Sequence, residues 1–226
     1  GQPTLALDRV LRLREAVARR TAYLALLVEN PLALSQVVRL TGGSVWIANE
    51  LAADAVLLDE LLDPRRLYTP LRLAELRGEI ASQLASVDPD DDEQQMDRLR
   101  QFARSNRLRV AAADLAGAIP LMVVSDYLTW IAEAVTGEVL EDAWRSLVAR
   151  HGRPTGVYGA DKGFAVIAYG KLGGLELGYG SDLDLVFLHG SPSASGATDG
   201  ARPIANDLFY ARLGQRMIHL YTARTA

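Results

Sequence analysis

From Leu7 to about residue 150, apolar residues recur every three or four positions; between residue 154 and about residue 203 that period is interrupted. A 3.6-residue period and a two-residue period cannot serve the same element. The first two thirds of the chain are therefore expected to be helical, and the last third must be built differently.

The stretch "LDRVLRLREAVARRTAYLALLVEN" places Leu7, Val10, Leu11, Leu13, Val17, Leu24 and Leu27 at helical spacing, and Asn30-Pro31 ends it. The residue before a proline is pushed out of the α region. A short helix follows, with Gly42-Gly43 as its stop. The next is expected from a Ser44 cap to near Pro64, and another over "LRLAELRGEIASQLASV". Asp88, Asp90, Asp91 and Asp92 then head a long helical pattern. They read either as a metal loop or, more plainly, as negative charge at a helix N-terminus, where the macrodipole favours it. Arg100, Arg104 and Arg107 share one face of that helix, as a phosphate contact or as a solvated face. A last long helix is expected from near Ser125, with Leu128, Ile131, Val135, Val139 and Trp144 inward.

After "HGRPTG" the texture changes. "GFAVIAYG" (163–170) is a short apolar run bounded by glycines and reads as a buried strand; "SDLDLVFLHG" (181–190) reads as a second. "SPSASGATDGARP" has the composition of a flexible loop, and "IANDLFYARLGQRMIHLYTAR" that of a closing amphipathic helix. The fold class expected is α+β, mostly α, with a helical region over 1–154 and a smaller strand-containing core over 155–226.

Composition narrows the function. A net charge of −4 argues against a general nucleic-acid binder. The absence of cysteine excludes disulfides and thiolate zinc sites, and suits a reducing cytoplasm. No apolar run approaches the roughly 18 residues of a membrane span. The opening Gly1-Gln2-Pro3, without an initiator Met, predicts a piece of something larger. His151, His189 and His219 are scattered without zinc-ligand spacing, and no Gly-x-Ser-x-Gly elbow is present.

The chemistry concentrates in "YGKLGGLELGYGSDLDLVFLH", residues 169–189. On a strand, residues two apart share a face, so Asp182 and Asp184 project together while Leu183, Leu185 and Phe187 face a core. Two adjacent carboxylates repel, and one would take up a proton unless a cation intervenes. Mg²⁺ suits such a pair, because it binds one or two carboxylates and fills its remaining positions with water and phosphate oxygens. Gly170, Gly173 and Gly174 follow the first strand, where a tight turn brings backbone amides close to an anion, and Lys171 adds a cation there. Strand, glycine turn, short helix ("LGGLEL") and a strand opening with Asp-x-Asp is a nucleotidyltransferase layout. It is neither a Walker P-loop nor a Rossmann fingerprint, since both glycine spacings are wrong.

"FAVIAYGKLGGLELGYGSDLDLVFLH" closely resembles the signature of bacterial glutamine synthetase adenylyltransferases, which join an adenylyl-transferase half to an adenylyl-removing half. The upstream stretches "LLDELLDPRRLYTP", "LRQFARSNRLRVAAADLAG", "VSDYLTWIAEAV" and "ARHGRP" resemble the helical region before the second copy of that motif. The resemblance is to the C-terminal, AMP-adding half, with Ala168 at the motif's first glycine. It implies an incomplete nucleotidyltransferase core of polymerase-β type, moving AMP from ATP to a tyrosine of glutamine synthetase. Asp182 and Asp184 would hold Mg²⁺, while Gly170, Lys171, Gly173, Gly174 and Ser181 would shape the triphosphate pocket. A PII signalling protein is implied as a further partner. Arg212 and Arg216 read equally as ligand contacts or as a surface pair, and Glu176 equally as a functional residue or as a structural partner of the turn. The family's third acid follows a stretch like "TARTA", where this sequence ends, and Asp199 and Asp207 are poor substitutes. The chain as given is thus expected to be inactive or crippled. Two rivals stand beside this reading: the AMP-removing half, and a non-catalytic docking or regulatory module.

Overall fold

The computed structural model describes residues 21–88, 91–190 and 196–222. The chain is mostly helical with one two-stranded antiparallel sheet, as the change of period requires. It divides into two compact units. One comprises the described residues through Arg72, Gln101–Ile131 and Gly178–Gly180. The other comprises Leu73–Arg100, Ala132–Leu177 and the described residues from Ser181 onward. The helical pattern from Leu7 to Val17 and the acid Asp90 lie outside the described residues.

In the first unit, α1 (Thr21–Glu29) stops where Pro31 dictates, and Pro31 occupies the first turn of α2 (Pro31–Gly43). Gly43 is needed for closeness: a Cβ there would lie 2.7 Å from Leu115 Cδ2. Helix α3 (Val45–Ala53) is capped by Ser44, whose Oγ accepts the Ile47 N–H at 3.2 Å. The single helix expected to run on to Pro64 is broken at Asp54 instead. Asp54 is extended, its carboxylate accepts the Val56 N–H at 3.1 Å, and the chain continues as a 3₁₀ helix, Ala55–Leu62. An aspartate side chain that bonds the backbone two residues on competes with the helix ladder. A cap at Asp63, accepting from Arg65 N, opens α4 (Pro64–Leu67). Leu40, Ile47, Leu51, Leu57, Leu58, Leu61 and Leu67 form the core with Leu108, Ala111 and Ala112. Beside this core Arg109, 2% exposed, pairs with Glu60 at 2.8 Å.

The second unit contains α5 (Leu73–Leu84), the N-terminal part of α6 (Asp92–Leu115) and the C-terminal part of α7 (Val124–His151). Asp91 caps α6, its carboxylate accepting the Gln94 N–H at 2.9 Å. Asp92 pairs with Arg216 at 2.6 Å, so the helix-terminus reading of these two acids is the one that holds. Strand β1 (Phe164–Tyr169) pairs with β2 (Asp184–His189), in the register Phe164↔His189 through Tyr169↔Asp184. One face of the ladder packs on the closing helix, which becomes α9 once the short α8 (Gly170–Gly173) is counted. Helix α9 runs Asn206–Thr222 and buries Phe209, Tyr210, Leu213, Met217 and Leu220. Its Gly214 admits Phe187, whose Cδ2 would lie 3.2 Å from an added Cβ. The other face is open. Ala165, Ile167 and Tyr169 are exposed, so β1 is half-buried rather than buried, because helix packing covers only one side of it. Of the segment expected to be a flexible loop, residues 191–195 lie outside the described residues, and the rest is held by pairing: Ala197 bridges Ala205, and Thr198 N donates to Ile204 O at 2.9 Å.

Breaking the Arg109–Glu60 pair with Glu60→Gln removes the carboxylate that faces a buried guanidinium at 2.8 Å. Chemical denaturation is expected to show a loss of about 3 kcal/mol, the low end for such pairs because Glu60 keeps 18% exposure. A loss below ~1 kcal/mol would mean that the pair is solvated.

Asp142 of α7, 5% exposed, lies 3.5 Å from Arg216, and burial pushes its carboxyl up against the pull of Arg216 and Arg145. A carboxyl with a raised folded pKa stabilises the fold below its ordinary pKa, and that contribution is lost as pH rises through the raised value. Asp142→Asn cannot titrate, so its stability relative to the parent should improve as pH rises above about 4, the ordinary aspartate value. A flat or falling difference across thermal melts contradicts this.

Candidate functional site

The motif folds around Gly170. Strand β1 ends at Tyr169, and Gly170, with φ +53°, turns the chain into the left-handed region that glycine enters without penalty. Helix α8 then runs only from Gly170 to Gly173, shorter than the helix expected through "LGGLEL". It folds back on β1: a Cβ on Gly173 would lie 2.5 Å from Ala168 O, and Leu172 is buried. Gly174 N donates to Gly170 O at 3.0 Å and Glu176 N to Lys171 O at 2.7 Å, closing the turn. Leu175 follows at φ +56°, and Leu177 is buried again. Glu176 is thus tied into the turn through its backbone.

From Ser181 to Leu188 burial alternates strictly, with Asp182 and Asp184 on the exposed side and Leu183, Leu185 and Phe187 half-buried. The two carboxylates share a face as the sequence predicts, although β2 itself begins at Asp184. The decisive contact is between turn and strand. A Cβ on Gly170 would lie 2.3 Å from Asp184 Oδ2, so any larger residue would drive the carboxylate away. Gly170 and Asp184 are therefore brought together. The nearest neighbours of Gly173 and Gly174 are not Asp182 or Asp184: a Cβ on Gly173 would meet Ala168 of β1, and one on Gly174 would meet Gly170 O and the Glu176 side chain. Lys171 is exposed and makes no ion pair among the described residues, and Ser181 is half-buried at the entry to the strand.

The remaining candidates divide cleanly. Arg216 pairs with Asp92 and Asp142, and Arg212 Nη1 lies 3.1 Å from Nε2 of the buried His151, so both arginines of α9 are structural. His189 stacks on Tyr210 with ring centroids 4.7 Å apart. Asp199 accepts the Arg153 N–H at 2.7 Å, which engages one of its carboxylate oxygens, and Asp207 stands exposed on the first turn of α9. In the first unit Arg104 binds Asp54 at 3.0 Å, while Arg107 keeps a buried Nε without a hydrogen-bond partner. Arg100 lies 3.4 Å from Asp97 in the second.

No group of three or more potential metal ligands occurs among the described residues. Two carboxylates offer hard oxygen donors, a set that Mg²⁺ accepts when water and phosphate oxygens complete its shell. The site is an open face rather than a cleft. A cavity of about 310 Å³ in the same unit is lined by Arg153, Thr155, Tyr158 and Asp199, among others, and by none of the motif residues.

The sequence reading does not single out two tyrosines of this motif. Tyr179, inside the first unit, stacks on Trp46 at 4.9 Å and donates to Asp114 Oδ2 at 2.8 Å; burial pushes its hydroxyl up, and the Asp114 hydrogen bond adds to this. Tyr169 is 57% exposed and lies directly opposite Asp184 in the ladder. Its signal was the strand register, which periodicity alone does not supply.

A family model described as glutamate-ammonia ligase adenylyltransferase matches residues 34–226. The chain is 55% identical over 226 residues to a Pseudomonas putida protein, covering 99% of this chain and 23% of that one. It is 53% identical over 221 residues to one from Thioalkalivibrio sulfidiphilus, and 50% over 224 to one from Shewanella frigidimarina. All three are named bifunctional glutamine synthetase adenylyltransferase/adenylyl-removing enzyme. The chain spans about a quarter of the length of these curated relatives.

Gly170→Ala is expected to cost about 1–2 kcal/mol for the left-handed backbone alone, and to displace the Asp184 carboxylate. Gly180→Ala, whose added Cβ meets nothing within 4 Å, is the control. If the two variants melt alike and Gly170→Ala leaves any Mg²⁺ titration of the chain unchanged, the contact has no role.

Proposed function

The chain belongs to the glutamate-ammonia ligase adenylyltransferase family, and on that premise we propose that it carries the nucleotide-binding core of a half that moves AMP from ATP to a tyrosine hydroxyl of glutamine synthetase. In this reading residues 1–154 are the preceding helical region and 155–226 the nucleotidyltransferase core. The contact of the Gly170 backbone with the Asp184 carboxylate is the observation that supports it, because a glycine turn of this kind would offer amides to a phosphate beside an acid that would hold the metal.

In the reaction the tyrosine oxygen attacks the α-phosphorus, the bond to the bridging oxygen of pyrophosphate breaks, and the tyrosine proton passes to solvent. Asp182 and Asp184 would hold Mg²⁺, which when bound would lower the pKa of the attacking hydroxyl and offset charge on the leaving pyrophosphate. Lys171, exposed at the turn, would approach the triphosphate as a point charge. Gly170 keeps the turn free of a side chain, so phosphate and Asp184 can be neighbours. Gly173 and Gly174 act indirectly, by letting α8 lie on β1 and fixing where the Lys171 backbone sits. Ser181 orients the entry to the two acids.

The relatives' names join adding and removing activities, so removal of AMP by phosphorolysis on a similar site is the second reading. The residues "YGKLGGLELGYGSDLDL" favour addition by resemblance. A cytoplasmic setting, with glutamine synthetase and a PII protein as partners, belongs to the same proposal; the absence of cysteine fits it.

The test uses this chain and one extended to the relatives' length, each with and without Asp182→Asn plus Asp184→Asn. The extended chain is expected to label glutamine synthetase from α-labelled ATP only with Mg²⁺ present. The double variant should lose more than about 100-fold, beyond the cost of removing an outer hydrogen-bond partner of a metal ligand. Unchanged labelling in the double variant would show that the acid pair is structural.

A further inference from the structure

We propose that the open face of the two-stranded sheet is the platform for the nucleoside of the bound nucleotide, with Tyr169 as the residue that stacks on its base. This deepens the nucleotidyl-transfer reading and rests on it.

The ladder register places Tyr169 opposite Asp184, Ile167 opposite Val186 and Ala165 opposite Leu188. Directly opposed residues of an antiparallel pair lie on one face. Tyr169 is 57% exposed, Ile167 38%, Val186 42% and Leu188 54%. The face is therefore graded: two carboxylates at one end, an aromatic ring beside them, then branched aliphatic side chains.

A metal-bound nucleotide carries the same gradation, from chelating phosphates through ribose to a flat, weakly polar base. Opposed residues of a strand pair have Cβ atoms about 5 Å apart, so the reach from Asp184 to the ring of Tyr169 across the ladder is on the scale of a ribose, and Ile167 and Val186 continue the apolar surface beyond the ring. The continuity of this surface with the acid pair on one face is what selects a nucleotide as its occupant.

Tyr169 also has no structural task that would explain it. Its side chain makes no hydrogen bond and no ring contact among the described residues. Tyr210, by contrast, stacks on Phe164 and His189 and donates to Lys162 O, and Tyr221 donates to Thr136 Oγ1. An exposed ring at a strand end is a stacking surface that any base fits.

The experiment compares Mg²⁺-ATP with Mg²⁺-tripolyphosphate, which has the phosphates but no nucleoside. Affinities are measured by calorimetry on the chain extended to the relatives' length. Tyr169→Ala is expected to weaken ATP about 10- to 100-fold and to leave tripolyphosphate unchanged, while Tyr169→Phe restores most of the loss. Because the side chain is largely exposed, the melting temperature should stay at the parent's value. Asp182→Asn plus Asp184→Asn should weaken both ligands.

An unchanged ATP-to-tripolyphosphate ratio in Tyr169→Ala overturns the platform, and a further stretch of protein then covers this face. If the acid variant still weakens both ligands, the transfer reading survives that loss. If the acid variant changes neither ligand, it is the transfer reading that fails. No binding of either ligand by the extended chain overturns both.

Discussion

The second unit is organised by one side chain, Tyr210 of α9. Its ring lies against Phe164 of β1 and His189 of β2, and its hydroxyl donates to Lys162 O at 2.9 Å. Gly163 leaves room for it, since a Cβ there would come within 2.6 Å of that hydroxyl. These contacts fasten the Phe164–His189 end of the ladder, the end remote from the acids. A one-residue slip would turn every side chain to the opposite face. By pinning the register at one end, Tyr210 decides that Asp182, Asp184 and Tyr169 face outward together at the other.

The same packing explains how charge is distributed. Arginines that could have served a phosphate are held by acids or by a histidine of their own unit: Arg216 by Asp92 and Asp142, Arg212 by His151, Arg104 by Asp54. Lys171 is left exposed at the glycine turn, without an ion pair among the described residues. In the proposed reading the motif would attract a phosphate through a lysine and backbone, not through a cluster of guanidinium groups. The chain's overall negative charge does not conflict with binding a triphosphate, because the interaction is local.

The parts legible in the sequence are those fixed by neighbours along the chain. Pro31, the Ser44 cap, the alternation from Ser181 to Leu188 and the glycine turn after β1 all act within a few residues, and each stands where the pattern places it. What escaped depends on partners far away. Asp54 breaks a good helical pattern because it caps Val56 and meets Arg104, fifty residues on. The open face of β1 was unreadable because an apolar run looks the same whether one side or both sides are covered. In the candidate site the acids and glycines were visible by type and spacing. Which glycine touches an acid, Gly170 rather than Gly173 or Gly174, follows only from the strand register.

The sequence separations of these contacts carry a kinetic consequence. Tyr169 and Asp184 face each other across 15 residues of chain, whereas the Arg216–Asp92 pair closes 124. By loop entropy alone, the longer closure costs about 2 kcal/mol more, roughly three doublings of length. Local contacts form sooner than distant ones in a folding chain. The hairpin that presents the two acids can therefore be assembled before α9 is locked to α6, with the geometry of the acid pair written early and its support arriving late.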